Sequence, residues 1–159
     1  MNYITVYDAL QEAPDYESIL MFAFWVPVSV VVAIQLVRSA KKRQWAASIF
    51  LSIWLVVFTG FGGLGFANTF WKQAECERWL AAGDYIISEG IVEDFDPMPS
   101  GGHKDESFKL GPYKFSYSDF DLTRGCFNNA RSHGGPIYEN RAVRLFHKNG
   151  VILRIDVKK

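Results

Sequence analysis

Apolar positions cluster in the first half of this chain and alternate with polar ones in the second. From Ser18 to Val37 twenty residues pass without a charge, and from Trp45 to Ala67 another twenty-three do. At a rise of about 1.5 Å per residue these runs make helices of about 30 and 35 Å, enough to cross a hydrocarbon core of about 30 Å. Two such runs only seven residues apart favour membrane spans over buried helices of a soluble domain. A cleaved signal peptide fits the first run poorly, because such peptides open with basic residues and close on a small-x-small site. Residues 1–17 hold no Lys or Arg and four acids, Asp8, Glu12, Asp15 and Glu17. The sequence therefore predicts a short outer segment over 1–17 and a two-helix transmembrane hairpin over 18–67.

The connection RSAKKRQ carries Arg38, Lys41, Lys42 and Arg43 and no acid. Short loops rich in Lys and Arg stay cytoplasmic, so both termini are expected outside the cytoplasm of a bacterial inner membrane. Tyr16, Trp45, Phe70 and Trp71 stand near the span ends, where an interfacial aromatic belt belongs. Pro27 lies inside the first run, where it removes a backbone hydrogen bond and favours a bend. Thr59, Gly63 and Ala67 recur at four-residue spacing in the second. Such a small-residue face allows close helix packing, against the first span or against another copy.

Beyond Ala67 the period changes. FWKQAECERWLAAG steps helically and stops at Gly83, predicting a juxtamembrane helix over 68–83 in line with the second span. After it, IISEGIVEDF (86–95), ESFKL (106–110), YKFSYS (113–118), AVRLFHK (142–148) and VILRIDV (151–157) read as strands. Gly90 marks a bulge or bend in the first of them. Gly111-Pro112 and Asn149-Gly150 are hairpin turns, the second by the strongest short signal available. In the last strand Val151, Leu153, Ile155 and Val157 fall on one face, with Ile152, Arg154 and Asp156 on the other. Five short strands must close or roll to hide their edges. Residues 84–159 are therefore expected to form a small all-β domain outside the membrane, an OB-like five-stranded barrel or, as the alternative, an SH3-like roll.

Charge sharpens this picture by position, not by total. The chain holds 17 basic and 17 acidic residues, and residues 68–159 hold 13 of each. An apolar share of 49% excludes a disordered chain. The absence of a basic excess argues against nucleic acid as a partner. The expected partners are the lipid bilayer and another envelope protein or a second copy.

The only cysteines, Cys76 and Cys126, both fall in the outer part. In an oxidising compartment such a pair permits one disulfide, with two buried thiols as the alternative. Closing a loop of about 50 residues contributes roughly 4 kcal/mol in the chain-entropy model. No metal-ligand spacing surrounds either cysteine, and no metal or other cofactor is indicated. Two loops concentrate polar residues. DPMPSGGHKDES (96–107) brings His103, Asp105 and Glu106 close in sequence, but adjacent acids on a strand point to opposite faces, and the loop reads as solvated. GCFNNARSHGGPIYENR (125–141) offers Asn128, Asn129, Arg131 and His133 around a tight Gly-Gly-Pro turn. That loop is a candidate binding surface, with His133 as a candidate general base; His147 reads as a structural or surface strand residue. No nucleotide-binding Gly loop, nucleophile elbow or metal-binding helix motif occurs.

The blocks PMPSGGHKDESF, FSYSD, GCFNNARSHGGPI and VRLF between Gly90 and Val157 resemble a recurring C-terminal β domain of uncharacterised bacterial membrane-anchored proteins. Cys126 and Ala130 depart from that pattern, which otherwise has Gly-Phe and Thr there. Such domains carry no assigned chemistry, so the resemblance implies no catalytic role. It points to Tyr117, Ser118, Asp119, Asn128, His133, Gly134 and Gly135 as one group, to which loop chemistry adds Arg131. The expected function is a membrane-anchored envelope protein whose outer domain is a binding module, as a subunit of a membrane complex or an immunity factor. The alternatives are a membrane-bound hydrolase or metal-dependent enzyme using the His133 or His103 loops, and a subunit whose spans matter most.

Overall fold

The computed structural model describes residues 2–12, 16–102, 104–121 and 126–159, with backbone alone at 16–23, 59, 61–63, 65 and 66. In chain order the elements are β1 (Tyr3–Asp8), α1 (Tyr16–Lys41), α2 (Trp45–Ala82), β2 (Ile86–Ile91), β3 (Glu93–Asp96), β4 (Glu106–Leu110), β5 (Tyr113–Tyr117), a 3-10 turn (Arg131–His133), β6 (Ala142–Lys148) and β7 (Val151–Lys158). They fall into two compact units. One is helical, Ala13–Asn68, and the other joins Met1–Glu12 to Thr69–Lys159.

In the helical unit α1 runs through Pro27 as one helix. Its window Phe24–Lys41 is long and apolar enough to cross a membrane, and none of that window is buried. In α2 the apolar stretch counted over the described residues is Trp45–Phe58, which ends where the side chains of 59, 61–63, 65 and 66 lie outside them. Among the described residues one helix thus meets the length and hydropathy of a span, where the sequence suggests two. The helices meet through aromatic rings. Trp25 of α1 lies 4.5 Å from Phe58 of α2, centroid to centroid, and Phe58 stacks on Trp54 at 3.9 Å. Of the expected small-residue face, Ala67 is exposed; the side-chain surroundings of Thr59 and Gly63 lie outside the described residues.

The predicted juxtamembrane helix is the continuation of α2. Gly83 ends it at φ +70°. The Gly83 amide donates to the Leu80 carbonyl at 3.3 Å and the Asp84 amide to the Trp79 carbonyl at 2.9 Å, the paired bonds of a Schellman stop.

All five predicted strand segments form, and the Asn149-Gly150 hairpin has both residues at positive φ, +50° and +80°, as a type I′ turn requires. The expected closed barrel does not form. The strands make two antiparallel sheets, ordered β1-β7-β6-β2 and β3-β4-β5. The first predicted strand bends instead of closing. At Val92 its amide and carbonyl turn to Arg141 and Asn140, and Asp94 takes φ +51°, so β2 and β3 serve different sheets. Gly90 is not the bend: a Cβ there would stand 3.3 Å from Leu110 Cδ1, so it lets the two sheets approach.

The strand missed by sequence reading is β1. Residues 1–17 read as an outer segment, yet Tyr3–Asp8 pair with β7 from Tyr3↔Lys158 to Asp8↔Arg154. This makes β7 central and alters its faces. Register shifts against β1 and β6 break the alternation expected for Val151–Val157. Ile152, Ile155 and Val157 enter the main core with Phe108, Phe115, Leu145 and Val143, whereas Leu153 packs with Cys76 and Ala9. Asp156 is buried on the opposite side, accepting from Thr5 Oγ1 at 2.8 Å and from Arg154 Nε at 2.9 Å. A buried carboxylate held by the strand beside it ties β1 to β7 beyond the backbone ladder.

His147 lies fully inside this core, its ring 4.6 Å from Tyr113 and 4.9 Å from Phe115, with Nε2 2.8 Å from Ser88 Oγ. Burial pushes its pKa below the ordinary histidine value. The unfolded chain therefore takes up this proton first, and stability drains as pH falls from the unfolded value towards the lower folded one.

Tyr7 packs against both cores and meets Phe127 edge-on at 5.1 Å. Its hydroxyl is buried with no partner among the described residues. A buried donor without an acceptor costs about 1–3 kcal/mol. Tyr7→Phe is therefore expected to leave thermal stability unchanged or raise it, while Tyr7→Ala lowers it by about 3 kcal/mol. Denaturant titration of the two variants, read by near-ultraviolet circular dichroism, checks the contrast.

Candidate functional site

The segment from Cys126 to Arg141 has little regular structure, so its shape depends on what holds it. Three devices do. The first is covalent: Cys76, in the last turns of α2, is bonded to Cys126, with the α carbons 5.9 Å apart. The sequence permits a disulfide or two buried thiols, and the structure contains the disulfide.

The second device is a pair of carboxylates gripping backbone amides. Asp119 follows β5, where its Oδ1 accepts the Ala130 amide at 2.6 Å and its Oδ2 accepts His133 Nδ1–H at 2.5 Å. Glu106 opens β4 and is fully buried. Its Oε2 accepts the Arg131 amide at 2.9 Å and its Oε1 accepts the Tyr117 hydroxyl at 2.6 Å. Burial, and then the bond to Glu106, push the Tyr117 hydroxyl pKa well above its usual value, so this group stays a donor. Asp105, next door, points outward and accepts from Ser116. The adjacent acids thus occupy opposite faces, as strand geometry requires.

The third device is the glycine pair. Gly134 caps the 3-10 turn at φ +94°, a left-handed conformation that favours glycine. Gly135 is there for space: a Cβ would lie 2.1 Å from the Asn129 carbonyl oxygen. Ile137, two residues on, is fully buried in the main core.

The grouped residues are thus only partly brought together. Tyr117 and Arg131 meet on Glu106, Arg131 also accepts the Gly134 amide at its carbonyl and donates to the Gly135 carbonyl, and Asp119 separately holds His133 and the Ala130 amide. Ser118 caps the following turn, accepting the Phe120 amide at 3.2 Å. Asn128 stands apart, on a cavity of about 220 Å³ beside the disulfide that Tyr117, Trp79 and Phe127 also line. Its Nδ2 is buried with no partner among the described residues. His133 does not line this cavity. His103 lies outside the described residues, and among the described residues no group of three or more metal-ligating side chains occurs.

Beside Asp105 in sequence, Glu106 reads as part of a solvated loop, whereas it is buried, and its signal is present in the strand pattern. In E-S-F-K-L the inward positions are 106, 108 and 110, so the carboxylate stands in phase with Phe108 and Leu110. An acid in the apolar phase of a strand must find donors inside. Tyr138 and Arg141 were passed over. The guanidinium carbons of Arg131 and Arg141 each lie 4.8 Å from the Tyr138 ring centre.

Chemically, an Asp–His contact is one part of an acid–base device. Here the other ring nitrogen of His133 has no partner among the described residues, and Ser132 Oγ lies 3.4 Å from the same Nδ1 that meets Asp119. The dyad holds a loop in place; no nucleophile is aligned with it among the described residues.

Asp119→Ala is expected to raise the exchange rate of the Ala130 amide by about tenfold or more while β6 and β7 stay protected, as hydrogen exchange would read. Gly135→Ala should cost about 2–4 kcal/mol of stability. Comparison of the chain with protein-family models, curated proteins and solved structures finds no match.

Proposed function

We propose that this is a membrane-anchored envelope protein whose β domain lies outside the cytoplasm and acts as a binding module, with the 126–141 segment as its binding surface. The observation that carries this reading is the pairing of β1 with β7. Both ends of the chain belong to one sheet, and α1 with the first part of α2 lies between them in sequence. If α1 crosses a bilayer, the chain must cross back before β2, because β1 and β7 cannot pair through a membrane. The basic loop at 38–43 supplies the cytoplasmic end of that hairpin.

Two further features support it. Large apolar side chains stand exposed along both helices, among them Phe24, Val31, Ile34, Ile49, Phe50, Ile53 and Val56. Soluble monomers rarely expose apolar surface on that scale. The disulfide fits an oxidising compartment. Binding is favoured over catalysis because the segment is braced by the buried Glu106 and the half-buried Asp119 while Arg131 and His133 remain accessible. The partner we propose is another envelope protein or a second copy, in the role of a complex subunit or an immunity factor. The resemblance in the PMPSGGHKDESF, FSYSD and SHGGPI blocks is consistent with such an anchored domain.

A reporter enzyme that is active only outside the cytoplasm, fused after Lys159, should be active, and the same reporter placed at Ser39 inactive. Activity at Ser39 with silence at Lys159 would invert the orientation and remove the account of the disulfide.

A further inference from the structure

Arginines in the β unit divide into two kinds. Of the five that the structure describes there, Arg78, Arg144 and Arg154 each meet a carboxylate: Glu75 at 3.5 Å, Glu89 at 2.8 Å and Asp156 at 2.9 Å. Arg131 and Arg141 meet none among the described residues, and these two converge on one ring, Tyr138. Both are nevertheless held. Arg131 Nη1 donates to the Gly135 carbonyl at 3.2 Å, and Arg141 Nη1 donates to the Tyr138 hydroxyl. Arg141 Nε is buried with no acceptor among the described residues. Glu106, Glu139 and Asp119 each hold other donors, Asp119 the Ala130 amide and His133. Glu106 takes the Arg131 backbone amide and the Tyr117 hydroxyl, and Glu139 takes the Phe95 amide at 2.7 Å.

Two guanidiniums fixed by neutral acceptors keep their charge uncompensated and most of their five N–H donors each unspent. Fixed beforehand, they lose little freedom when an anion arrives. A planar guanidinium fork matches a carboxylate or phosphate in bidentate fashion. We propose that Arg131 and Arg141, set around Tyr138, form an oxyanion-binding site for a carboxylate or phosphate group. This names the ligand chemistry of the 126–141 binding surface and rests on that reading, but not on the membrane topology. The reporter fusions and the experiment below can therefore fail separately.

The test uses the full chain in phosphatidylcholine nanodiscs, with arginine Nε–H resonances followed as inorganic phosphate is added. A second arm replaces free phosphate with discs containing phosphatidylglycerol, which separates a soluble anion from a lipid headgroup. Saturable shifts at both Arg131 and Arg141 in either arm are expected, and the arm that responds identifies the source. Arg131→Gln and Arg141→Gln should each weaken binding about tenfold or more, and Arg144→Gln, whose partner is Glu89, by less than about twofold. The wild-type resonances report on the site even if a variant folds poorly. No saturable shift at either arginine in both arms overturns the proposal. So does binding that survives loss of either guanidinium, or that falls equally in the Arg144 variant.

Discussion

The antiparallel pairing of β1 with β7 is the constraint on which the rest of the molecule depends. It makes the β unit discontinuous, with its first strand separated from the remainder by the helical unit. A strand taken from one end of the chain completes a sheet formed at the other, and a buried Asp156 receives its Thr5 partner only when that strand arrives. The helical segment is thereby bracketed on both sides by one folded domain. On the proposed membrane reading, an insertion that crosses a bilayer must return to the side it left.

A second tier of order builds on the first. Once β7 is central, its two sides serve different purposes: the main core between the sheets, and the smaller cluster where Leu153 meets Cys76. The disulfide then joins the end of α2 to the start of the irregular segment, and Glu106 and Asp119 fix that segment's backbone from β4 and from the end of β5. Hydrogen bonds to charged acceptors are among the stronger ones, at about 1.5–3 kcal/mol. Three donors of the segment on two carboxylates can therefore order a stretch that has almost no secondary structure of its own. The polar density that marks 125–141 as functional in sequence is in large part this internal bracing, and Arg131 and Arg141 are the arginines it leaves without a carboxylate partner among the described residues.

Legibility in the sequence followed the range of each interaction. The Asn149-Gly150 and Gly111-Pro112 hairpins, the Gly83 stop and the five strand segments are set by neighbouring residues, and all were readable. β1 was not, because YITVYD carries no sign of a partner about 150 residues away. Barrel closure failed for a related reason. The bend at Val92 depends on bonds to Asn140 and Arg141, and strand patterning could not reveal them. In the site, the glycine pair and His133 were visible as motif, whereas Glu106 was discounted beside Asp105. Its inward phase on β4, not its proximity to another acid, was the informative property.

Hydrogen–deuterium exchange of the full chain in nanodiscs tests the central pairing most directly. If β1 completes the sheet, the ladder amides within residues 3–8 exchange as slowly as those of β7, and Thr5→Pro, which removes a donor from the strand, releases them together. Exchange of residues 3–8 at the rate of an unstructured peptide, with β6 and β7 still protected, would contradict the pairing and the topology drawn from it.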